Sequence, residues 1–389
     1  MQNFTFHNRT KIIFGRGTEE KTGEEVAKYS DKILMVYGGG SIKEYGIYEK
    51  VMSSLEAAGV EAVELGGVKP NPRLKLVHEG VEICREENID FVLAVGGGSV
   101  IDTAKAISIG VPYEGDVWDF YAEDRTIEES LPIGTVLTIP AAGSESSPGS
   151  VITKEEGGLK RDAGSNKLRP EFAIMNPEFT YTLPDYQTAS GAADIMAHVM
   201  ERYFTHEPHV DFTDRLCEAT LRTVIENTPI ALEEPENYGV RAQIMWASTV
   251  AHNDLLGTGR VEDWASHPIE HELSGMYDIT HGAGLAIIFP AWMEYVHQKN
   301  LEKFAQFAAR VWNEEVDFAS LERTALKGIE DLREFFRRVG LPTRLSDLEV
   351  EISEADLEEM ADKCTENGPV GNFVELDRDD VLEIYNLAR

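Results

Sequence analysis

The stretch "FVLAVGGGSVIDTAKA", residues 91–106, decides the fold class of this chain. An apolar, strand-forming run is followed by three glycines and then by a segment with the character of a helix. The same order of strand, glycines and helix recurs in "ILMVYGGGSIKEYG", residues 33–46. Strands that alternate with helices predict a parallel sheet covered on both faces.

The two halves of the chain differ in pattern. Besides the two stretches above, the first half holds short β-rich runs, which are "KIIFG", "VEAVELG", "LPIGTVLTIP" and "EFAIMNP". The second half holds long helix-period segments, at 187–205, 211–226, 239–256, 282–297, 299–313 and 318–338. We therefore expect an α/β domain over 1–184 and an all-helical domain over 185–389, with the boundary near Pro184.

Composition and charge exclude several classes of protein. The 389 residues include 36 basic and 69 acidic side chains, a formal charge of −33. Such a field repels nucleic acid and anionic membranes, so we expect neither as a partner. The three cysteines form no C-x-x-C pair, and no secretory signal or membrane-length apolar run is present. The sequence therefore predicts a cytoplasmic protein.

The glycines at the end of the second strand-like run predict an anion site. A helix start leaves backbone N–H groups without internal partners, and glycine lets an anion approach them closely. Gly97, Gly98 and Ser99 therefore suit a diphosphate. Both turns also match the S-x-x-[DE] capping box, through Ser99 with Asp102 and Ser41 with Glu44. A capped turn needs no ligand, but two such turns in one sheet favour a dinucleotide.

The earlier turn bears on which dinucleotide binds. It holds Gly38, Gly39, Gly40, Ser41 and Lys43, with no acid, and the G-x-G-x-x-G fingerprint is absent. N–H groups, a hydroxyl and an ammonium suit a 2′-phosphate better than a free ribose hydroxyl. This turn therefore predicts NADP(H) in preference to NAD(H), although Lys43 is equally compatible with an ordinary surface lysine.

One carboxylate and three imidazoles in the second half form a candidate metal site. Asp194 and His198 stand at i and i+4 in an apolar segment, where they share one helix face. Their mutual hydrogen bond would be a purely structural explanation. His267, placed before Pro268 at a helix entry, and His281 complete a closed ligand set without thiolate. Such a set suits Fe²⁺, Zn²⁺, Mn²⁺, Co²⁺ or Ni²⁺.

Six motifs together resemble the iron-containing alcohol dehydrogenase family over nearly the full length. They are "VKPNP" at 68–72, "GGGSVIDTAKAI" at 96–107, "TIPAAGSESS" at 138–147, "GAADIMAHVMERYF" at 191–204, "HPIEHELS" at 267–274 and "THGAGLAIIFP" at 280–290. Within the family, the chain looks like the branch of NADPH-dependent butanol dehydrogenases and aldehyde reductases. The resemblance implies a dehydroquinate synthase-like fold, with the active site in a cleft between the two domains.

The resemblance also implies roles for particular residues. The family's metal positions match the four residues above, and its diphosphate contacts match Gly97, Gly98 and Ser99, with Asp102 close by. Asn71 matches a family position beside the adenosine, and Thr182 and Leu183 match an adenine-side contact. Thr138, Ser144 and Ser147 match nicotinamide-side positions, and Lys160 resembles the lysine that reaches the nicotinamide ribose. A homodimer and a divalent metal, Fe²⁺ or Zn²⁺, are implied as well.

The implied reaction is hydride transfer between the nicotinamide and a primary alcohol or aldehyde such as butanol or butanal. Histidine titrates near neutral pH, so we take His271 as the candidate proton relay; support of a metal ligand is an equal alternative. Gly282 and Gly284 would allow close approach of cofactor and metal. Competing interpretations are a glycerol-type polyol dehydrogenase or a dehydroquinate-synthase-like lyase, a metal-dependent hydrolase, and a nucleotide-binding protein without catalysis.

Overall fold

The computed structural model describes residues 1–123 and 125–389, which form two compact units. The sheet unit comprises His7–Leu183 and Pro235–Thr249, and the helical unit comprises Met1–Phe6, Pro184–Glu234 and Val250–Arg389. The two units differ from the predicted domains 1–184 and 185–389 in three places. Met1–Phe6 and Pro184 belong to the helical unit, and Pro235–Thr249 belongs to the sheet unit. The domain limits themselves stay a prediction.

A six-stranded parallel sheet organises the sheet unit, as the sequence predicted. Its strands are β1 (Lys11–Phe14), β2 (Lys32–Tyr37), β3 (Glu61–Leu65), β4 (Val92–Gly96), β5 (Ile133–Leu137) and β8 (Phe172–Met175). Their order across the sheet is β1-β8-β5-β4-β2-β3. The chain leaves β2 toward β3 on one side and leaves β4 toward β5 on the other. The topological switch point of the sheet therefore lies between β2 and β4.

Both faces of this sheet are buried. Along β2, Leu34 and Val36 pack into the core on one face, whereas Ile33 and Met35 pack into the core on the other. Successive side chains of a strand point to opposite faces, so a strand covered on both sides must be apolar throughout. This requirement explains the continuous apolar runs of the sequence.

Helices and one hairpin complete the sheet unit. Its helices are α1 (Thr22–Val26), α2 (Ser41–Glu44), α3 (Ile47–Ala57), α4 (Leu74–Glu87), α5 (Gly98–Gly110) and α6 (Asp119–Ala122). Its 3-10 helices are Thr18–Lys21, Ser144–Ser146, Asn166–Leu168 and Pro177–Thr180. An antiparallel hairpin of β6 (Gly149–Lys154) and β7 (Leu159–Gly164) was not predicted from the sequence.

The helical unit is all-α, as predicted, and no strand occurs after Pro184 in the described part of the chain. Its helices are α7 (Asp185–Tyr203), α8 (Asp211–Glu233), the end of α9 (Tyr238–His252), α10 (Ser266–Tyr277), α11 (His281–Val296), α12 (Leu301–Val311), α13 (Leu321–Arg338), α14 (Glu354–Cys364) and α15 (Arg378–Leu387). Its 3-10 helices are Leu255–Gly257, His297–Lys299 and Leu345–Asp347. None of the described helices combines the length and apolar character needed to span a membrane.

Two central helices carry the interior of the helical unit. Every residue of α7 from Thr188 to Tyr203 is buried, and so is every residue of α11 from Gly282 to Met293. Beside them, the rings of Phe204, Trp292 and Phe304 pack against one another, with 4.5 Å between the ring centroids of Phe204 and Phe304. A helix that is buried all round must satisfy any polar side chain it carries from within the protein.

Candidate active site

Helix α7 holds the first two predicted metal ligands one turn apart. Asp194 and His198 are each only 5% exposed, and Asp194 Oδ1 lies 3.3 Å from His198 Nε2. Burial lowers the pKa of His198 to about 4, so its imidazole is neutral at neutral pH. Burial also opposes the charge on Asp194, but the surrounding histidines outweigh it and lower the pKa of that carboxyl.

The other two predicted ligands come from the starts of α10 and α11. One ligand atom each from Asp194, His267 and His281 lies within 4.8 Å of the others. His281 Nε2 is 4.0 Å from Asp194 Oδ1, and the rings of His198 and His267 are 4.6 Å apart between centroids. The structure thus brings together the four residues that the sequence singled out.

The buried polar atoms of this cluster point to a cation. Asp194 Oδ1, His198 Nε2 and His267 Nε2 are buried and have no hydrogen-bond partner. Leaving a buried polar atom unsatisfied costs roughly 1–3 kcal/mol, and here three such atoms converge. A carboxylate oxygen and imidazole nitrogens are the ligands that Zn²⁺ and Fe²⁺ accept. The residues present therefore fit a divalent metal.

Two carboxylates that sequence reasoning missed orient these imidazoles. Glu201 is fully buried, and its Oε1 accepts a hydrogen bond from His267 Nδ1 at 2.7 Å. Glu270, equally buried, pairs with His281 Nδ1. A proton on Nδ1 leaves Nε2 as the lone-pair donor, which is the arrangement usual behind metal-binding histidines. Glu201 follows His198 by three residues and Glu270 follows His267 by three, but this spacing does not single them out among 69 acidic residues.

Two further histidines border the cluster. His271 is buried on α10, and its ring centroid is 5.4 Å from that of His281. His252, at the end of α9, lies with its ring centroid 4.3 Å from that of His198 and is hydrogen-bonded through Nδ1 to Arg202 at 2.9 Å. Both therefore belong to the polar surroundings of the four predicted ligands.

The glycines after His281 serve packing within the helical unit. A Cβ on Gly282 would collide with the backbone oxygen of Ser190 on α7, and a Cβ on Gly284 would collide with the Glu270 carboxylate. These contacts give the two glycines a packing reason, and the interpretation that they admit the cofactor to the metal stays a prediction. The two glycines let α11 approach α7 closely and leave room for Glu270.

In the sheet unit, both glycine turns stand at the carboxyl ends of neighbouring strands. Gly38–Gly40 follow β2, Gly97 and Gly98 follow β4, and β2 pairs with β4. A Cβ on Gly39, Gly40 or Gly98 would meet no other atom within 4 Å, so the space above these positions is open. Open backbone at a helix start and at the switch point of a sheet has the geometry that accommodates a diphosphate.

The predicted capping boxes are wrong. Gly97 and Gly40 occupy the N-cap positions of α5 and α2, and neither helix has a side-chain cap. Asp102 instead accepts hydrogen bonds from Ser144 Oγ at 2.7 Å and from the Val151 amide at 3.2 Å. The carboxylate is thus engaged by the segment after β5, which leaves the N–H groups at the start of α5 uncapped by a side chain.

Lys43 is not an isolated surface lysine. Its Nζ donates to the Tyr37 hydroxyl at 3.0 Å and lies 3.5 Å from Glu64 Oε2, at the end of the neighbouring strand β3. Tyr37 and Tyr48 both donate to Glu64, at 2.8 and 2.7 Å. The glycine turn after β2 contains no carboxylate, so Glu64 on the neighbouring strand β3 supplies the one beside Lys43.

The remaining predicted cofactor residues lie along the same edge of the sheet. The Thr138 amide donates to Gly96 at 3.0 Å, which places this residue beside the second glycine turn. Asn71 is buried and has a left-handed backbone conformation. Two residues later, Arg73 forms a β-bridge with Thr153, and Thr153 pairs with Lys160 in the hairpin. Thr182 and Leu183 follow the 3-10 helix after β8, two strands from β4. Ser144 and Ser147 are buried against α5.

Comparison with known proteins agrees with this fold. The model "Iron-containing alcohol dehydrogenase" matches residues 9–177, and "Fe-containing alcohol dehydrogenase family, C-terminal" matches 188–389. A probable NADH-dependent butanol dehydrogenase of Bacillus subtilis is 47% identical over 100% of both chains. The NADPH-dependent aldehyde reductase YqhD of Escherichia coli is 38% identical, also over 100% of both. The crystal structure of NADH-dependent butanol dehydrogenase A from Thermotoga maritima superposes with a TM-score of 0.95, at 44% identity, and covers 100% of this chain and 99% of that one.

The chain belongs to the iron-containing alcohol dehydrogenase family, as its motifs predicted. It is an NAD(P)-dependent oxidoreductase that acts on alcohols or aldehydes. The family assignment favours this activity over the hydrolase and the non-catalytic nucleotide-binding protein.

Proposed function

We propose that this enzyme interconverts a primary alcohol and its aldehyde, such as butanol and butanal, with a divalent metal held by Asp194, His198, His267 and His281. The observation that carries the proposal is the convergence of buried, unpartnered oxygen and nitrogen atoms in the helical unit. A cation bound there supplies Lewis-acid stabilisation of negative charge on the substrate oxygen. The family description favours Fe²⁺. The set of four ligands favours Zn²⁺, which usually has tetrahedral coordination.

The reaction balances as aldehyde plus NAD(P)H plus a proton, giving alcohol plus NAD(P)⁺. Bound NAD(P)H would supply the hydride to the carbonyl carbon, and the proton would go to the carbonyl oxygen. An imidazole nitrogen of His271 is the proposed source of that proton, supported by its burial beside His281. The alternative, support of the ligand His281, predicts loss of metal in His271→Ala, whereas the relay predicts retained metal with an altered pH–rate profile.

We further propose that the glycine turns bind the cofactor's diphosphate and that NADP(H) is preferred over NAD(H). Lys43 supplies an ammonium at the end of β2 for a 2′-phosphate. Glu64 lies 3.5 Å away and offsets part of that charge, so we expect a modest preference. Two of the similar proteins carry NADH-dependent names and one an NADPH-dependent name, which is compatible with use of both cofactors.

A direct test combines metal analysis with turnover. The purified enzyme is assayed for bound Fe and Zn, and the absorbance of reduced nicotinamide is then followed with butanal and with either NADPH or NADH. We expect about one metal per chain and faster turnover with NADPH. Glycerol and NAD(P)⁺ form the comparison reaction, and a strong preference for glycerol would favour the polyol dehydrogenase.

Assembly and location complete the proposal. We propose a homodimer in the cytoplasm. Cys84 and Cys217 are buried and reduced, which is compatible with a reducing compartment. Light scattering on the protein as it elutes from a size-exclusion column would give the mass of the assembly, for comparison with the 43.3 kDa of one chain.

A further inference from the structure

A lysine with no exposed surface lies behind the segment that follows β5. Lys105, on α5, is 0% exposed. Its ammonium donates to Ser144 Oγ at 2.9 Å, to Ser147 O at 3.0 Å and Oγ at 3.2 Å, and to Gly149 O at 2.7 Å. Four acceptors surround three protons, and all four belong to residues 143–149, which we call the serine loop.

The serine loop is also fixed from other directions. Asp102, one turn before Lys105, accepts from Ser144 Oγ at 2.7 Å. Arg169 donates to the backbone oxygen of Ser146 at 2.6 Å, and the buried Glu145 accepts from Thr249 Oγ1 at 2.5 Å. Burying a lysine and two carboxylates to fix one short loop is expensive, so the position of the loop must matter to the protein.

The order of strands indicates what the loop serves. With the diphosphate at the end of β4 and the 2′-phosphate near Lys43 at the end of β2, the adenosine half of the dinucleotide extends to one side of β4. In an extended dinucleotide the nicotinamide half would then lie on the other side, over the end of β5. The residues that follow β5 there are Thr138 and the serine loop.

We propose that Lys105 is a positioning residue that holds the serine loop against α5 and thereby orients the nicotinamide half of the cofactor. This inference rests on the proposed NAD(P)H site and adds a residue that makes no contact with the cofactor. It separates two functions within the sheet unit: the glycine turns hold the diphosphate, and the lysine-fixed loop orients the reacting ring.

The test compares two ligands that differ only in the nicotinamide. NADPH carries it, whereas 2′-phospho-ADP-ribose binds through the same diphosphate and adenosine groups without it. Calorimetric titration of both is carried out with the wild type, with Lys105→Met, and with Lys154→Met as a matched lysine control on β6. We expect Lys105→Met to weaken NADPH about tenfold and to leave 2′-phospho-ADP-ribose within about twofold.

Turnover gives an independent readout. At saturating NADPH, a displaced nicotinamide should lower kcat on the order of tenfold in Lys105→Met, with Lys154→Met at the wild-type value. If Lys105→Met does not fold, Lys105→Gln keeps a neutral donor in the same cavity and allows the same comparison. Circular dichroism identifies which variant is folded.

The outcomes separate the inference from the proposed function. If the variant binds both ligands like the wild type, or loses both equally, Lys105 does not orient the nicotinamide and the inference is overturned. If the wild type binds neither ligand, the proposed cofactor site itself is overturned, and the inference with it.

Discussion

The buried polar groups around Lys105 in the sheet unit and those around Asp194 in the helical unit differ in their hydrogen-bond partners. In the sheet unit, the buried ammonium of Lys105 and the carboxylate of Asp102 have hydrogen-bond partners from the chain itself. In the helical unit, Asp194 Oδ1, His198 Nε2 and His267 Nε2 are buried without one. The chain itself satisfies the polar atoms of the first region, whereas three polar atoms of the second have no partner from the chain. The proposed cofactor side is therefore preformed, whereas the proposed metal side would be completed by its ion.

Removing a metal ligand should have the largest effect. We expect His267→Ala to lose bound metal and to lower kcat/KM by a factor on the order of 10³ or more, since the stabilisation of charge on the substrate oxygen is lost. Metal analysis and turnover are measured together. His78→Ala, which removes an exposed histidine in the sheet unit, is the control and should behave as the wild type.

Lys105 should make stability depend on pH in an unusual direction. Burial lowers the pKa of Lys105 from 10.5 to about 8. The carboxylates of Asp102 and Glu145 oppose this shift, whereas the positive charge of Arg169 adds to it. Between these values the unfolded chain binds more protons than the folded one, so the free energy of unfolding rises with pH. The shift corresponds to about 3 kcal/mol at most.

Chemical denaturation of the wild type and Lys105→Met between pH 8 and 10.5 measures this effect. The difference in unfolding free energy, wild type minus variant, should increase across the window. A constant difference would show that Lys105 keeps an ordinary pKa in the folded protein, which would mean that its acceptors offset its burial completely.

The carboxylates behind the imidazoles should have an intermediate effect. Glu201→Gln keeps the shape of the side chain but removes the charge that holds the proton on His267 Nδ1. We expect the dissociation constant for Zn²⁺ to rise by roughly 10–100-fold, as is typical when an outer partner of a metal-binding histidine is removed. Competition with a chromophoric chelator measures it, with Glu226→Gln on the exposed side of α8 as the control. Unchanged affinity would mean that Glu201 has only a packing role.

Lys43 should have the smallest effect and one confined to cofactor choice. We expect Lys43→Met to lower the ratio of kcat/KM with NADPH to kcat/KM with NADH by about tenfold. This change corresponds to the loss of roughly one charge-assisted hydrogen bond to the 2′-phosphate. Lys28→Met, at an exposed position, is the matched control. A ratio that does not change would remove the support for NADP(H) preference and leave Glu64 as the group that faces the ribose.

The sequence predicted most of the fold because its signals were local. The apolar runs of β2 and β4, the glycines after them and the helical period after Pro184 each depend on neighbouring residues. The hairpin of β6 and β7 was missed because its strands carry several charged residues and only weak alternation. The capping boxes were predicted wrongly because Asp102 is engaged by Ser144, which is distant in sequence.

The candidate site was predictable by residue type, but its supporting groups were not. Three histidines and an aspartate in apolar surroundings are rare enough to be noticed in a sequence. Glu201 and Glu64, by contrast, are two among 69 acidic residues, and only the fold shows that one lies behind His267 and the other beside Lys43. The role of Gly282 likewise depends on a contact with α7 that no local pattern encodes.

The measurement that tests the central claim most directly is anomalous diffraction from crystals of the enzyme loaded with Fe²⁺ or Zn²⁺, recorded at the absorption edge of the metal. The account predicts one strong peak at about 2.0–2.2 Å from a carboxylate oxygen of Asp194 and from Nε2 of His198, His267 and His281. A peak held instead by Glu270 and His271, or no peak near Asp194 in metal-loaded crystals, would contradict it.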